Sequence, residues 1–130
     1  MIRKAEEIRP RILVVDDERY IGEMVCDFLN SKGYQAFYTN NGEDALILVK
    51  RVRPHIAVLD IKMSGMDGLE LLSRIRRLDP VVNAIMVTGV QDDEVGRNAL
   101  KLGASDLIPK PIDLEYLDTS IASKLSAMLE

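Results

Sequence analysis

Three acids run together at Asp16-Asp17-Glu18, a further aspartate stands at Asp60, a threonine at Thr88 and a lysine at Lys110. Each group closes a short apolar run, so each stands where a buried strand would end. If those ends share one cavity, the clustered carboxylates repel one another unless a cation sits among them. Hard oxygen donors of this kind suit Mg²⁺, which takes one or two carboxylates, keeps several waters and accepts phosphate oxygens. A lysine and a hydroxyl beside them complete the needs of phosphoryl transfer onto a carboxylate nucleophile. Singly, each piece has a plainer reading: an Asp-Asp pair can cap a helix, and a lysine before a proline can be a solvated surface charge. Acid at strand ends 1 and 3, hydroxyl at 4 and lysine at 5 together carry the chemistry.

The elements that would position these residues are legible as an alternation. Short apolar runs fall at 11–15 (RILVV), 34–38 (YQAFY), 55–59 (HIAVL), 83–87 (NAIMV) and 105–108 (SDLI). Several are rich in Val and Ile, as buried parallel strands are. Between them run helical stripes: Ile21, Met24, Val25, Phe28 and Leu29; Ala45, Leu48, Val49 and Val52; Leu69, Leu72 and Ile75; Val95, Ala99 and Leu102; and Leu114, Leu117, Ile121, Leu125 and Met128. Gly33, Pro54 and Gly103 punctuate the helix ends. Five strands each followed by a helix predict an α/β three-layer sandwich with a parallel sheet covered on both faces. Five units are too few to close a barrel, so the flavodoxin-like order 2-1-3-4-5 is expected. In that order Pro109 ends an edge strand, where a missing N–H is tolerated. Ligands of such sheets bind outside the carboxyl ends of the strands, near the point where the strand order reverses.

Bulk properties exclude several other classes. The chain has 130 residues, 47% hydrophobic and 29% charged, with a net charge of −4. That suits one domain with a real core, placed at 11–130 after an N-terminal extension at 1–10. An acidic balance argues against direct nucleic-acid binding. No apolar run approaches a membrane span or a signal peptide. The lone Cys26 permits no internal disulfide and fits a cytoplasmic protein. It sits beside the first helical stripe and reads as packing. His55, the only histidine, starts a strand on the side away from the acids and reads as structural.

The segments ILVVDDE (12–18), VLDIKMSGMDGLELL (58–72), IMVTG (85–89) and GASDLIPKPID (103–113) resemble the signature segments of response-regulator receiver domains, in family order and spacing. The resemblance implies a phosphoacceptor at Asp60. It implies Mg²⁺ held by Asp17, Asp16, Asp60 and the main-chain carbonyl of Lys62, with Thr88 and Lys110 on the phosphoryl group. It also implies a cis Lys110–Pro111 bond, and a turn at Met66-Asp67-Gly68 in which Gly68 adopts backbone geometry that a side chain would strain. A histidine kinase or phosphotransfer protein would be the donor. An effector would be the target, and a homodimer through helix 4, strand 5 and helix 5 is a further possible assembly.

Three positions depart from the family pattern. Ser64 replaces the usual proline four residues after the phosphoacceptor, which predicts a looser loop with unaltered chemistry. Leu107 replaces the usual aromatic of strand 5, so the face formed by helix 4, strand 5 and helix 5 is expected to switch by smaller packing shifts or to serve a partner constitutively. Lys62 and Val90 stand at the mouth of the site, and Val90 offers no polar group to orient water, which predicts a long-lived aspartyl phosphate. Two other functions fit these residues poorly. A haloacid-dehalogenase-like phosphotransferase would want its nucleophile straight after strand 1 in Asp-x-Asp form, and a cap. A flavodoxin-like cofactor carrier would want a glycine- and hydroxyl-rich loop there, in place of three acids.

Overall fold

The structure is a computed structural model that describes residues 9–89 and 93–128. Five strands alternate with five helices: β1 (Arg11–Val15), α1 (Arg19–Ser31), β2 (Gln35–Thr39), α2 (Gly42–Val52), β3 (Ile56–Asp60), α3 (Gly68–Leu78), β4 (Asn83–Thr88), α4 (Asp93–Lys101), β5 (Asp106–Pro109) and α5 (Leu114–Met128). All strand pairs are parallel, in the order β2-β1-β3-β4-β5. The alternation in the sequence therefore gives the expected flavodoxin-like three-layer sandwich. The last four strands begin within one residue of the apolar runs that mark them.

Side chains of a strand point alternately to its two faces, and this divides the core in two. Leu13, Val15, Ala57, Leu59, Ala84 and Met86 face α2, α3 and α4. Ile12, Val14, Ile56, Val58, Ile85 and Val87 face α1 and α5. β3, in the middle, is buried along its whole length, whereas β2 and β5 are partly open edges. Central strands covered on both faces need a continuous apolar run, and the run ends at the first polar residue the core will not hold without a partner. In β3 that residue is Asp60.

Two stripes differ from their sequence reading. α4 ends at Lys101, so Leu102 lies beyond it and is exposed, and the face packed on the sheet is Gly96 and Ala99 with Val95 partly buried beside them. In α5 the burial stops short of Met128, which is exposed. Cys26 is buried in α1, and burial, with Asp27 and Glu23 adding, pushes its thiol up to about 12. It is an inert packing group. His55 Nδ1 accepts the Arg11 N–H at 3.0 Å, at the amino-end rim of the sheet. Among the described residues no helix is long and apolar enough to cross a membrane.

Candidate functional site

The chain leaves β1 for β2 on one side and returns to β3 on the other, so the loops after β1 and β3 diverge and leave a crevice. Asp16 and Asp17 follow β1 directly and Asp60 is the last residue of β3. One carboxylate oxygen from each of these three lies within 4.8 Å of the others. Lys110 arrives from the far side: its N–H donates to the Thr88 carbonyl at 2.8 Å, continuing the β4–β5 ladder by one residue. Its Nζ then reaches across to Asp60 Oδ2 at 2.8 Å and lies 3.9 Å from both Asp16 Oδ2 and Glu18 Oε1. The Lys110–Pro111 bond is cis. Thr88 ends β4 opposite Pro109, one register position beyond the Asp60–Val87 pair.

Asp60 is 2% exposed and Asp16 is 4% exposed, so the acids are held in the low-dielectric interior. Burial raises the Asp60 carboxyl; Lys110 opposes this and the charge of Asp17 adds to it. The Lys62 N–H also tempers the rise, although it falls short of hydrogen-bond geometry, and Asp60 Oδ1 has no hydrogen-bond partner among the described residues. Burial likewise pushes Asp16 up to about 6, with Asp60 adding, against the Glu18 N–H and Lys110. Burial opposes the charge on Lys110, but Asp60, Asp16 and Glu18 outweigh it and raise its pKa, so it stays cationic. A buried acceptor without a donor is costly in a folded protein. Here it stands beside two more carboxylates with a single lysine between them. The donor set, all hard oxygen, fits a divalent cation such as Mg²⁺.

The loop after β3 is closed at its base, where the Gly68 N–H donates to the Ile61 carbonyl at 2.8 Å. Gly68 has an ordinary negative φ, so its role differs from the one expected. A Cβ there would stand 2.2 Å from the Asp60 carbonyl oxygen and 2.7 Å from Ile61 Cα. Glycine is required by close approach to the backbone that carries Asp60. Ser64 also differs: its N–H donates to Asp17 Oδ2 at 3.1 Å. Proline has no N–H to give, so this departure reaches the carboxylate cluster itself. Lys62 lines an open cleft of about 600 Å³ with Asp17, Ser64, Asp67 and Leu69. Val90 lies outside the described residues. Sequence reasoning missed Tyr38, at the end of β2, whose hydroxyl donates to the Asp16 main-chain carbonyl at 2.7 Å. The only signal was an aromatic in an edge strand, which reads as ordinary strand packing.

Comparison with known proteins gives the family. The family described as "Response regulator receiver domain" matches residues 12–122, and the chain belongs to it. Sporulation initiation phosphotransferase F of Bacillus subtilis is 33% identical over 115 residues, which are 88% of this chain and 93% of that protein. The DNA-binding response regulator MtrA of Mycobacterium tuberculosis is 32% identical over 120 residues; they are 92% of this chain but only 52% of the relative. A CheY-like response regulator receiver domain protein from Methanospirillum hungatei superposes with a TM-score of 0.88 at 32% identity, covering 92% of this chain and 96% of that one. A two-component response regulator from Clostridium difficile gives 0.89 at 26% identity, covering 94% and 100%. The chain is a receiver domain of the response-regulator type, a signalling module. The haloacid-dehalogenase alternative has no support, since Asp60 ends β3 and no residue span between elements is long enough for a cap.

Proposed function

We propose that Asp60 accepts a phosphoryl group from a histidine kinase or phosphotransfer protein in a Mg²⁺-dependent reaction, and that the phosphorylated domain signals through a changed interaction surface. One observation carries the reading. Asp60 is buried with one oxygen on Lys110 and the other without a hydrogen-bond partner among the described residues, beside the Asp16 and Asp17 carboxylates.

In this reading Asp60 Oδ1, the uncommitted oxygen, attacks phosphorus. The P–N bond of a phosphohistidine breaks, its electron pair leaves with the imidazole, and an acyl phosphate forms on Asp60. Lys110 moves its ion pair from Oδ2 to a phosphoryl oxygen, and the Thr88 hydroxyl donates to another. Asp16, Asp17, Asp60 and the Lys62 carbonyl would hold Mg²⁺, which when bound neutralises charge between carboxylates and phosphoryl oxygens. Hydrolysis reverses the state: water attacks phosphorus, the P–O bond to Asp60 breaks, and carboxylate and inorganic phosphate are released. The domain turns over no external metabolite. We place it at residues 11–130, in the cytoplasm, with the face of α4, β5 and α5 available for an effector or a second copy.

The test is phosphorylation by acetyl phosphate with Mg²⁺, comparing the native chain with Asp60→Asn. Label is expected on the native chain and absent from the variant. Equal labelling of both would sink the assignment.

A further inference from the structure

The loop after β1 holds two of the three carboxylates, yet its own hydrogen bonds fix only part of it. Asp16 Oδ1 accepts the Glu18 N–H at 2.8 Å, which turns the chain into α1. The Asp16 N–H donates to the Thr39 carbonyl at 3.3 Å, the last rung to β2. Between these bonds lies the peptide from Asp16 to Asp17, which sets the direction in which Asp17 leaves the backbone. Its carbonyl oxygen is taken by the Tyr38 hydroxyl at 2.7 Å. The Asp17 carboxylate is steadied at its other end by the Ser64 N–H at 3.1 Å.

The ring that delivers this hydroxyl has a prepared seat. It lies over Gly22, in the first turn of α1, where a Cβ would stand 1.9 Å from Tyr38 Cε1 and 2.4 Å from Cδ1. No residue other than glycine leaves room for the ring there. The Arg19 guanidinium stands 5.9 Å from the ring centroid and adds a weak cation–π contact. Tyr38 therefore clamps three parts together: the end of β2, the first turn of α1 and the peptide that carries Asp17.

The geometry points to Tyr38 as a positioning residue for the cation site, its hydroxyl fixing the Asp16–Asp17 peptide so that both carboxylates converge on Asp60. This inference rests on the proposed Mg²⁺ site and extends it to a residue that touches neither metal nor phosphate. Burial, opposed by Arg19, raises the phenol pKa, so the group remains an O–H donor at neutral pH. Removing the hydroxyl leaves the ring in its seat and frees the peptide. A neutral hydrogen bond of this kind corresponds to a change of about 3- to 10-fold in an equilibrium constant.

The experiment is a calorimetric Mg²⁺ titration of the native chain, Tyr38→Phe and Gly22→Ala, with thermal melts in EDTA to establish that each is folded. Tyr38→Phe is expected to bind Mg²⁺ about 3- to 10-fold more weakly, and its labelling by acetyl phosphate is expected to recover as Mg²⁺ is raised. A purely structural role would lower the melting temperature without moving the Mg²⁺ dependence. Gly22→Ala unseats the ring while keeping the hydroxyl, and is expected to weaken Mg²⁺ binding too. Should the native chain and a folded Tyr38→Phe bind Mg²⁺ equally, the inference falls while the metal site stands. If the native chain binds no Mg²⁺, the metal site falls and the inference with it.

Discussion

Asp16 is nearly buried, and its displaced pKa makes the metal-free fold sensitive to pH. Burial comes first among the causes and the Asp60 charge adds to it, so the folded chain keeps the Asp16 proton up to about pH 6. The unfolded chain releases it near the ordinary value of 3.8. Between these values the folded state binds more protons, so stability contributed by this group rises as pH falls. In EDTA, urea melts are expected to show the native chain more stable at about pH 5 than at about pH 7.5. Asp16→Asn should flatten that slope and stabilise the metal-free chain near neutrality by roughly 1–3 kcal/mol. Asp106 acts in another window. Burial opposes its charge, but hydrogen bonds from Ser120 at 2.6 Å and Lys124 at 3.0 Å hold its carboxyl below the usual range. Its contribution is present at neutral pH and is lost only as pH falls through that lowered value. A native chain that loses stability between about pH 7.5 and 5 would contradict a burial cost at Asp16 that outweighs its bonds to the Glu18 N–H and Lys110.

At the scale of elements, α3 has the most to do with the site, because its first residue presses on the backbone of Asp60. Asp67 caps it, accepting the Glu70 N–H through Oδ1 at 2.8 Å. Asp67→Ala is expected to cost about 1 kcal/mol in urea unfolding. Glu70→Ala, which breaks an ion pair to Arg74 whose partners are 50% and 49% exposed, should cost about 0.5 kcal/mol or less. Equal losses would mean that the cap has no special hold on this helix. The other element of interest is α4. Leu107 of β5 is half-buried, and its Cδ2 would be 3.0 Å from a Cβ on Gly96, so α4 rests directly on the leucine. A leucine has no hydroxyl to trade between buried and solvated positions. Any movement on this face would therefore show in the packing of α4 on β5.

The whole molecule is two apolar layers sharing one sheet. Leu72 of α3 is fully buried in one layer and Leu117 of α5 in the other. Truncating either to alanine is expected to cost about 2–5 kcal/mol. Separate layers with no shared contacts should give costs that add to within about 0.5 kcal/mol in the double variant. A large interaction term would show that the sheet transmits packing changes from face to face. Such transmission would offer a physical route from Asp60 to the α1 and α5 side. Arg9 and Pro10, just ahead of β1, are hydrogen-bonded to this unit. Pro10 accepts the Gln35 N–H at 2.8 Å, and the Arg9 guanidinium bonds the carbonyl of Tyr34.

Strands, helices and their order were legible because burial on a sheet leaves a periodic trace. A central strand must be apolar on both faces, and a covering helix apolar on one. Asp16, Asp17, Asp60, Thr88 and Lys110 were legible for the same reason, since each interrupts such a run at its carboxyl end. The tertiary structure decided what periodicity does not encode. Tyr38 looks like any strand aromatic until β2 lies beside β1 and the ring crosses Gly22 to reach Asp16. Gly68 looks like a turn glycine until α3 meets the carbonyl of Asp60. Ser64 looks like a lost proline until its N–H turns towards Asp17. Those three roles depend on distances between separate elements, which are fixed by register and by how closely helices settle on the sheet. The one-dimensional pattern records which face a residue occupies; the packed molecule decides whom it touches there.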